Sequence, residues 1–417
     1  MATTDVRDGA RRQAEGMSFH TVHIPRLTSG VVHLPGEAGY DEQRRAINPA
    51  VDSRPLMVIE AGDTEDVRAA VLAAGECGVP LAIQATGHGT HAPADGGILL
   101  KTSRLDSVIV DPVRRTALVG PGARWGKVLD AARPFGLAPL AGSSRDVGVT
   151  GFTLGGGLGW LSRRYGFAAD SVLRAELVTA DGRTLTASRD ENPELFWALR
   201  GGGGNFGVVT ALEFRLYPVR EVQAGIIELP AGSAAEAMET YRALTERAPD
   251  ELSTALMLSP TSVAVKVMYA GTAEEARKAV PYEGLRTMAF ADASMGGTPA
   301  RHFDLFESLT TPVAEAALAA SGEATVEIRH WGGAMGTTAG TGPVGHRNAH
   351  FSVIVNEALP WLPGTLSPHA IGGSFVNFLA DTTRTRTAYT AADYAGLADV
   401  KRAYDPDATF GLGHTIR

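Results

Sequence analysis

Glycine crowds into three short stretches of this chain: Gly87-His88-Gly89, GFTLGGGLG at 151–159 and GGGGNFG at 201–207. Glycine tolerates positive φ and lets another group come close to the main chain, at a cost in chain entropy. Three such stretches in one region predict a single extended ligand threaded by bare backbone rather than three unrelated turns.

Two stretches imitate the dinucleotide pattern G-x-G-x-x-[GA], at 87–92 and 202–207. That pattern works only where a strand runs into the glycines and a helix N-terminus follows to meet the pyrophosphate. Here Pro93 and ADGG follow the first, and the alternating VVTALEFRLYP follows the second. Neither opens a helix, so the nicotinamide reading fails on context. Successive backbone N–H groups in such loops still make anion nests.

Around the glycines, helix and strand patterns mix. PLMVIEAG (55–62) predicts a strand, Thr64 caps a helix ending at Gly78, and LAIQAT (81–86) predicts a second strand. ILLKTS, SVIVDP and TALVGPG predict short strands, and RWGKVLDAARPFG a helix ending at Gly136. RAELVTA and RTLTAS form a hairpin turning at Asp181-Gly182. NPELFWALRGGG predicts a short helix, and VVTALEFRLYPV alternates as a half-buried strand. Beyond residue 221 glycine thins out. AGSAAEAMETYRALTERAP (231–249) and GTAEEARKAV, the latter capped at Thr272, predict helices. ELSTALMLSP, SVAVKVMYAG, ATVEIRHWGG and HFSVIVNEA predict strands of one antiparallel sheet. The class is α+β. AADYAGLADVKRAYDPDATFGLGHTIR predicts a helix, a turn at Asp405-Pro406 and an extended tail.

With 417 residues, 44% apolar and 20% charged, the chain can bury two cores. A net charge of −8 argues against nucleic acid as a partner, because phosphate binding needs a basic face. No run approaches eighteen apolar residues, so no membrane span is expected. The start MATTDVRDGARRQ lacks an apolar leader region, and Cys77 is the single cysteine, so a reducing cytoplasm is the expected location. Cys77 itself reads as a small packed side chain. No metal site is expected.

Four segments occur in order: QATGHG (84–89), VGPGARWGKVLDAARPFGLAPLAGSSRDVGVTGFTLGGGLGWLSRRYGFAADSV (119–172), ELFWALRGGGGNFGVVTALEF (194–214) and VKRAYDPDATF (400–410). With them, residues 55 to 219 resemble the flavin domain of FAD-linked oxidoreductases of the berberine bridge enzyme type. That group lies within the p-cresol methylhydroxylase and vanillyl-alcohol oxidase superfamily. The resemblance implies a two-domain α+β fold. An FAD-binding domain covers 1–220, 376–417 returns to it, and 221–375 is a substrate-binding domain, an antiparallel sheet backed by helices.

It also implies roles. His88 stands where the family bonds flavin covalently, and a neutral imidazole is a competent nucleophile toward an electron-poor ring. Thr86, Gly87, Gly89 and Thr90 stand where that loop meets the phosphates. Gly142, Ser143, Ser144, Val147 and Gly148 fall in the segment beside the flavin ring. Gly151, Gly155, Gly156 and Gly157 match the run along the cofactor. Gly204, Asn205, Gly207 and Val209 match the segment at the adenine-ribose half, and His414 holds its place in the tail. His91 is left open between an ordinary loop hydrogen bond and a role beside the flavin. Arg163 and Tyr165 belong to an L-x-R-x-Y-G signature and are read as structural.

Two departures matter. Ser144 stands where many relatives carry a second, cysteinyl link, so a single linkage and a milder oxidant are implied. Val147 matches a position that is small or valine where dioxygen reaches reduced flavin, which favours an oxidase. In SFVNF (374–378) the two tyrosines of the family's Y-x-N-Y segment are Phe375 and Phe378, so its usual base is missing. Gly413 and Thr415 replace common asparagines. A replacement base is expected on the sheet. In EIRHWGG, Glu327 and Arg329 share one face, and Ile328 and His330 the other. His330 is the leading candidate, with Tyr269, His346 and Arg347 behind it, and His350 beside them. The implied activity is oxidation of a small organic molecule, phenolic or polyketide-like, by FAD and dioxygen. Redox-neutral flavin chemistry, carbohydrate or alcohol oxidation, and flavin binding without turnover are the alternatives. Oligomeric state is left open.

Overall fold

The structure is a computed structural model describing residues 27–230, 234–337 and 342–417. The opening MATTDVRDGARRQ and residues 231–233 of the expected 231–249 helix lie outside the described residues.

Two sheets form between residues 31 and 215. The first contains β1 (Val31–His33), β2 (Met57–Glu60), β3 (Leu81–Gln84) and β4 (Ile98–Lys101), in the order β1-β2-β4-β3. β2 and β3 flank β4 in parallel, which requires a crossover. The helix Thr64–Cys77 supplies it. Val67, Ala70, Val71 and Ala74 recur at helical spacing and are buried with Met57, Ile59 and Leu100. The expected cap shifts by one residue. Asp63, not Thr64, accepts the Asp66 N–H at 2.9 Å, and its charge also suits the positive end of a helix. Gly78, at φ 63°, ends the helix as expected.

The second sheet contains β5 (Val108–Asp111), β6 (Thr116–Val119), β7 (Val172–Val178), β8 (Thr184–Ser188) and β9 (Val208–Arg215). Its order is β5-β6-β9-β7-β8, all antiparallel. Gly207 thus leads into β9 and no helix follows, which removes the dinucleotide reading of 202–207.

The third sheet has seven antiparallel strands: β10 (Glu221–Leu229), β11 (Leu252–Leu258), β12 (Val263–Tyr269), β13 (Arg286–Ala289), β14 (His302–Phe306), β15 (Val326–His330) and β16 (Phe351–Val355). Their order is β13-β10-β12-β11-β15-β16-β14. The four strands read from sequence form its middle. β13 and β14 are its edges. Both faces are covered. Helices Ala234–Glu246 and Thr311–Ser321 bury Tyr241, Val313 and Ala317 against Leu256, Ile328 and Val353 on the outer face. On the other face Ala255 and Met268 join the core of the first half.

The last helix, Ala391–Tyr404, returns to the first half. Lys401 Nζ donates to Asn205 O (2.9 Å), Phe410 O (3.1 Å) and Asp405 Oδ2 (2.5 Å). Asp405 also accepts the Thr409 and Phe410 N–H groups, and Leu81 N–H donates to Thr409 O at 2.7 Å. A buried ammonium needs such a full set of acceptors, which gives VKRAYDPDATF its structural reason.

Candidate active site

The three glycine stretches come together. Thr86 Oγ1 lies 3.1 Å from His88 Nδ1. The Gly142–Gly148 segment packs on this loop, so that a Cβ on Gly148 would lie 3.1 Å from the Thr86 side chain. Arg124 steadies the segment by donating to Asp146 O at 2.7 Å. Gly203 N–H donates to Leu154 O at 2.9 Å, joining the third stretch to the second. The His91 and His414 rings meet edge-on at 5.7 Å, and His414 O accepts from Asn205 Nδ2 at 2.9 Å. Asn205 Oδ1 accepts the Ile416 N–H at 3.0 Å. One region therefore holds Thr86 to His91, Gly142 to Gly157, Gly204, Asn205 and His414.

The glycines there do different work. A Cβ on Gly89 or Gly151 would meet nothing within 4 Å, so bare main chain borders open space. A Cβ on Gly157, at φ +77°, would strike Ala168 and Phe152 at 2.6 Å. Asn377 of SFVNF secures this run. Its Oδ1 accepts the Gly157 N–H at 2.9 Å and its Nδ2 donates to Phe152 O at 3.0 Å. Gly155 sits against Asn377 and Gly156 against the Phe375 ring. Gly87 needs its positive φ of 84°, and Thr90 N–H closes the turn on Gly87 O. Val209 is not brought to the cleft: it is 4% exposed in the core and pairs with Leu177 in the sheet. Gly142 lies against Phe152, and Gly207 against Val178 O.

The electrostatics favour neutral imidazoles. Partial burial, then the Arg124 charge, hold the His88 pKa below the usual 6.5. Burial lowers that of His91, and burial together with His91 pushes His414 down to about 4. His414 Nδ1 pairs with Thr385 Oγ1 at 3.0 Å, while its buried Nε2 has no partner. An unpartnered imidazole nitrogen, a neutral His88 and open main chain at Gly89 and Gly151 fit a flavin dinucleotide. Among the described residues no group of three or more His, Cys, Asp or Glu fits a metal ion. No helix among them is long and apolar enough to cross a membrane.

From the Gly142–Gly148 segment the contacts lead onto the seven-stranded sheet. Trp160 Nε1 donates to Ser143 Oγ at 3.1 Å, and the Arg329 guanidinium lies over the Trp160 ring at 5.2 Å. Arg329 donates to Glu327 Oε1 through Nε (2.9 Å) and Nη2 (2.5 Å). Glu327 Oε2 accepts the Thr298 N–H at 3.1 Å and lies 3.9 Å from Lys266 Nζ. Glu327, Arg329 and Lys266 are all buried. The two neighbouring cations, opposing burial, leave the Glu327 carboxyl below its ordinary pKa, and burial lowers that of Lys266.

None of the four residues expected to supply a base lies on this inner face. His330 is on the outer face with Ile328, stacked on Phe351 at 5.2 Å, its Nε2 3.1 Å from Arg163 Nη1. Burial, then the Arg163 charge, push its pKa down to about 2, too weak a base near neutrality. Arg163 also donates to Leu252 O at 2.7 Å and to Trp331 O, so the pair is a structural tie. Tyr269 packs in the outer core. His346 pairs with Thr387 O at 2.8 Å, and Arg347 with Asp170 at 2.7 Å. Sequence reasoning missed Lys266, Trp160 and Asn377. Lys266 had a signal, a lone cation inside VAVKVMY.

A family profile described as an FAD binding domain matches residues 55–188. (R)-6-hydroxynicotine oxidase of Paenarthrobacter nicotinovorans is 37% identical over 206 residues, 49% of this chain and 45% of that protein. The chain spans about half the length of the curated relatives it matches. The crystal structure of 6-hydroxy-D-nicotine oxidase from Arthrobacter nicotinovorans superposes with a TM-score of 0.82 at 25% identity, over 95% of this chain and 99% of that one. BBE-like 1 from Physcomitrella patens does so with a TM-score of 0.83 at 21% identity, over 93% and 97%. The chain carries an FAD binding domain at residues 55–188 and has the p-cresol methylhydroxylase/vanillyl-alcohol oxidase fold of these FAD-linked oxidoreductases.

Proposed function

We propose that this chain is a cytoplasmic FAD-dependent oxidase of a small organic substrate, with its flavin tethered through His88 alone. The observation that carries the reading is the meeting of Thr86–His88, Gly142–Gly157 and Asn205–His414 around open main chain. Bound there, flavin supplies a two-electron acceptor that dioxygen reoxidises with release of hydrogen peroxide. The protein's share is positioning. Asn377 fixes the Gly155–Gly157 run, and His88 is kept neutral and nucleophilic. Ser144 lacks a thiolate, so no second bond forms.

Acid precipitation tests the tether. The pellet of the unaltered protein should be yellow, and that of His88→Ala colourless while its native form still binds flavin. A yellow His88→Ala pellet would refute the linkage. Peroxide release with phenolic, alcohol or sugar donors tests the oxidase. Anaerobic conversion of substrate with no net flavin reduction would instead establish redox-neutral chemistry, the reading favoured by two phenylalanines at the usual base positions.

A further inference from the structure

The inner face of the seven-stranded sheet carries more charge than flavin chemistry asks of it. Lys266, Ala255 and Arg329 stand in one cross-strand row on β12, β11 and β15. The outer two Cα atoms are thus two strand spacings apart, roughly 10 Å. Ala255, between the two cations, contributes only a methyl group and no hydrogen-bonding side chain to either of them. Glu327, in the adjoining row, is saturated by Arg329, the Thr298 N–H and Lys266.

The cations are not saturated. Lys266 is 7% exposed, and beyond Glu327 it reaches Gly296 O at a long 3.5 Å. An ammonium carries three donors. Both hydrogen bonds of Arg329 go to Glu327, and its plane rests on Trp160. Two buried cations against one carboxylate leave an excess positive charge where water is scarce. Such an excess is costly unless an anion completes it.

The other end of the face is flat and apolar. The Glu327 row continues through Ile354 to Phe303. The Phe303 ring stacks on Phe378 at 5.1 Å and 7°. Phe378 adjoins Asn377, which holds the Gly157 N–H, so this aromatic pair borders the second glycine stretch.

We propose that the site takes an aromatic substrate bearing a carboxylate, the carboxylate paired with Lys266 and Arg329 and the ring directed toward Phe303 and Phe378. This rests on the flavin reading above and names its substrate class. The carboxylate replaces the long Gly296 contact of Lys266. A neutral sugar leaves the excess charge uncompensated, so the site discriminates against it.

The test uses the flavin-loaded protein, with benzoate and its neutral isostere benzamide as probes and the flavin difference spectrum as readout. Benzoate is expected to bind about tenfold tighter than benzamide or better. Lys266→Met should weaken benzoate about tenfold and leave benzamide within about twofold, and Lys266→Arg should restore benzoate. The ratio in the unaltered protein keeps the idea open to refutation even if Lys266→Met does not fold. A yellow protein that binds both probes equally, or neither, overturns the carboxylate site while the flavin reading stands. A protein that binds no flavin overturns the flavin reading itself.

Discussion

The two faces of one sheet have opposite chemistry built from the same kind of strand. On the outer face of β15, Ile328 and His330 lie under helices, and the polar ties there are the Tyr241 hydroxyl to Ile328 O and Arg163 to His330. On the inner face, Glu327 pairs with Arg329, whose guanidinium lies over Trp160, the residue that donates to Ser143. Every residue of β15 is buried, so exposure does not separate the faces. What separates them is whether a polar group is spent on holding the fold or left with capacity for something else. Arg163 spends its donors on Leu252, Trp331 and Ala248 carbonyls and on His330. Lys266 does not.

Mutation can break or sharpen that contrast. The largest effect is expected from Arg163→Met, which strands several buried acceptors. Urea unfolding should show a loss of about 4 kcal/mol, and a loss under 1 would mean the outer tie is dispensable. Glu327→Gln should come next, at about 3 kcal/mol, because it leaves two buried cations facing each other. Its benzoate affinity should rise as its stability falls, an opposition that no outer-face variant shows.

The pH profile gives a third measure. Folded His330 and His414 titrate near 2 and 4, below the 6.5 of an unfolded histidine. As pH falls below 6.5 the unfolded chain takes up protons first, so stability drops, by up to about 1.4 kcal/mol per pH unit for each histidine. Below pH 4 only the His330 share continues. His330→Phe should flatten that slope and cost about 1 kcal/mol at pH 7, with peroxide release within about threefold. Turnover that collapses in a stable His330→Phe protein would reverse the assignment of the faces. The smallest effect is local: Asp63→Ala should cost about 1 kcal/mol in thermal unfolding, and Thr64→Ala close to none.

The first half was the legible half. Glycine clusters, Gly78 and Gly136 as helix ends, and the Asp181-Gly182 turn each have a backbone reason visible in one or two residues. The substrate side was only half legible. Period-two alternation correctly paired Glu327 with Arg329, and Ile328 with His330. It could not say which pair turns inward, because a strand buried on both faces shows no polar side. What settles the matter is the side of the sheet on which the helices Ala234–Glu246 and Thr311–Ser321 pack, a tertiary choice that no strand pattern records. Asn377 was hidden for another reason. Its amide bonds to Gly157, more than two hundred residues away, and no local pattern marks such a contact.

One tie carries a temporal consequence. Lys401 and the Ile416 N–H both close on Asn205, some two hundred residues earlier in the chain. During synthesis all three sheets can pair before either contact exists, since their strands end at Val355. The nascent protein can therefore pass through a stage that is folded yet unlatched, which ends only when Lys401 and Ile416 reach Asn205.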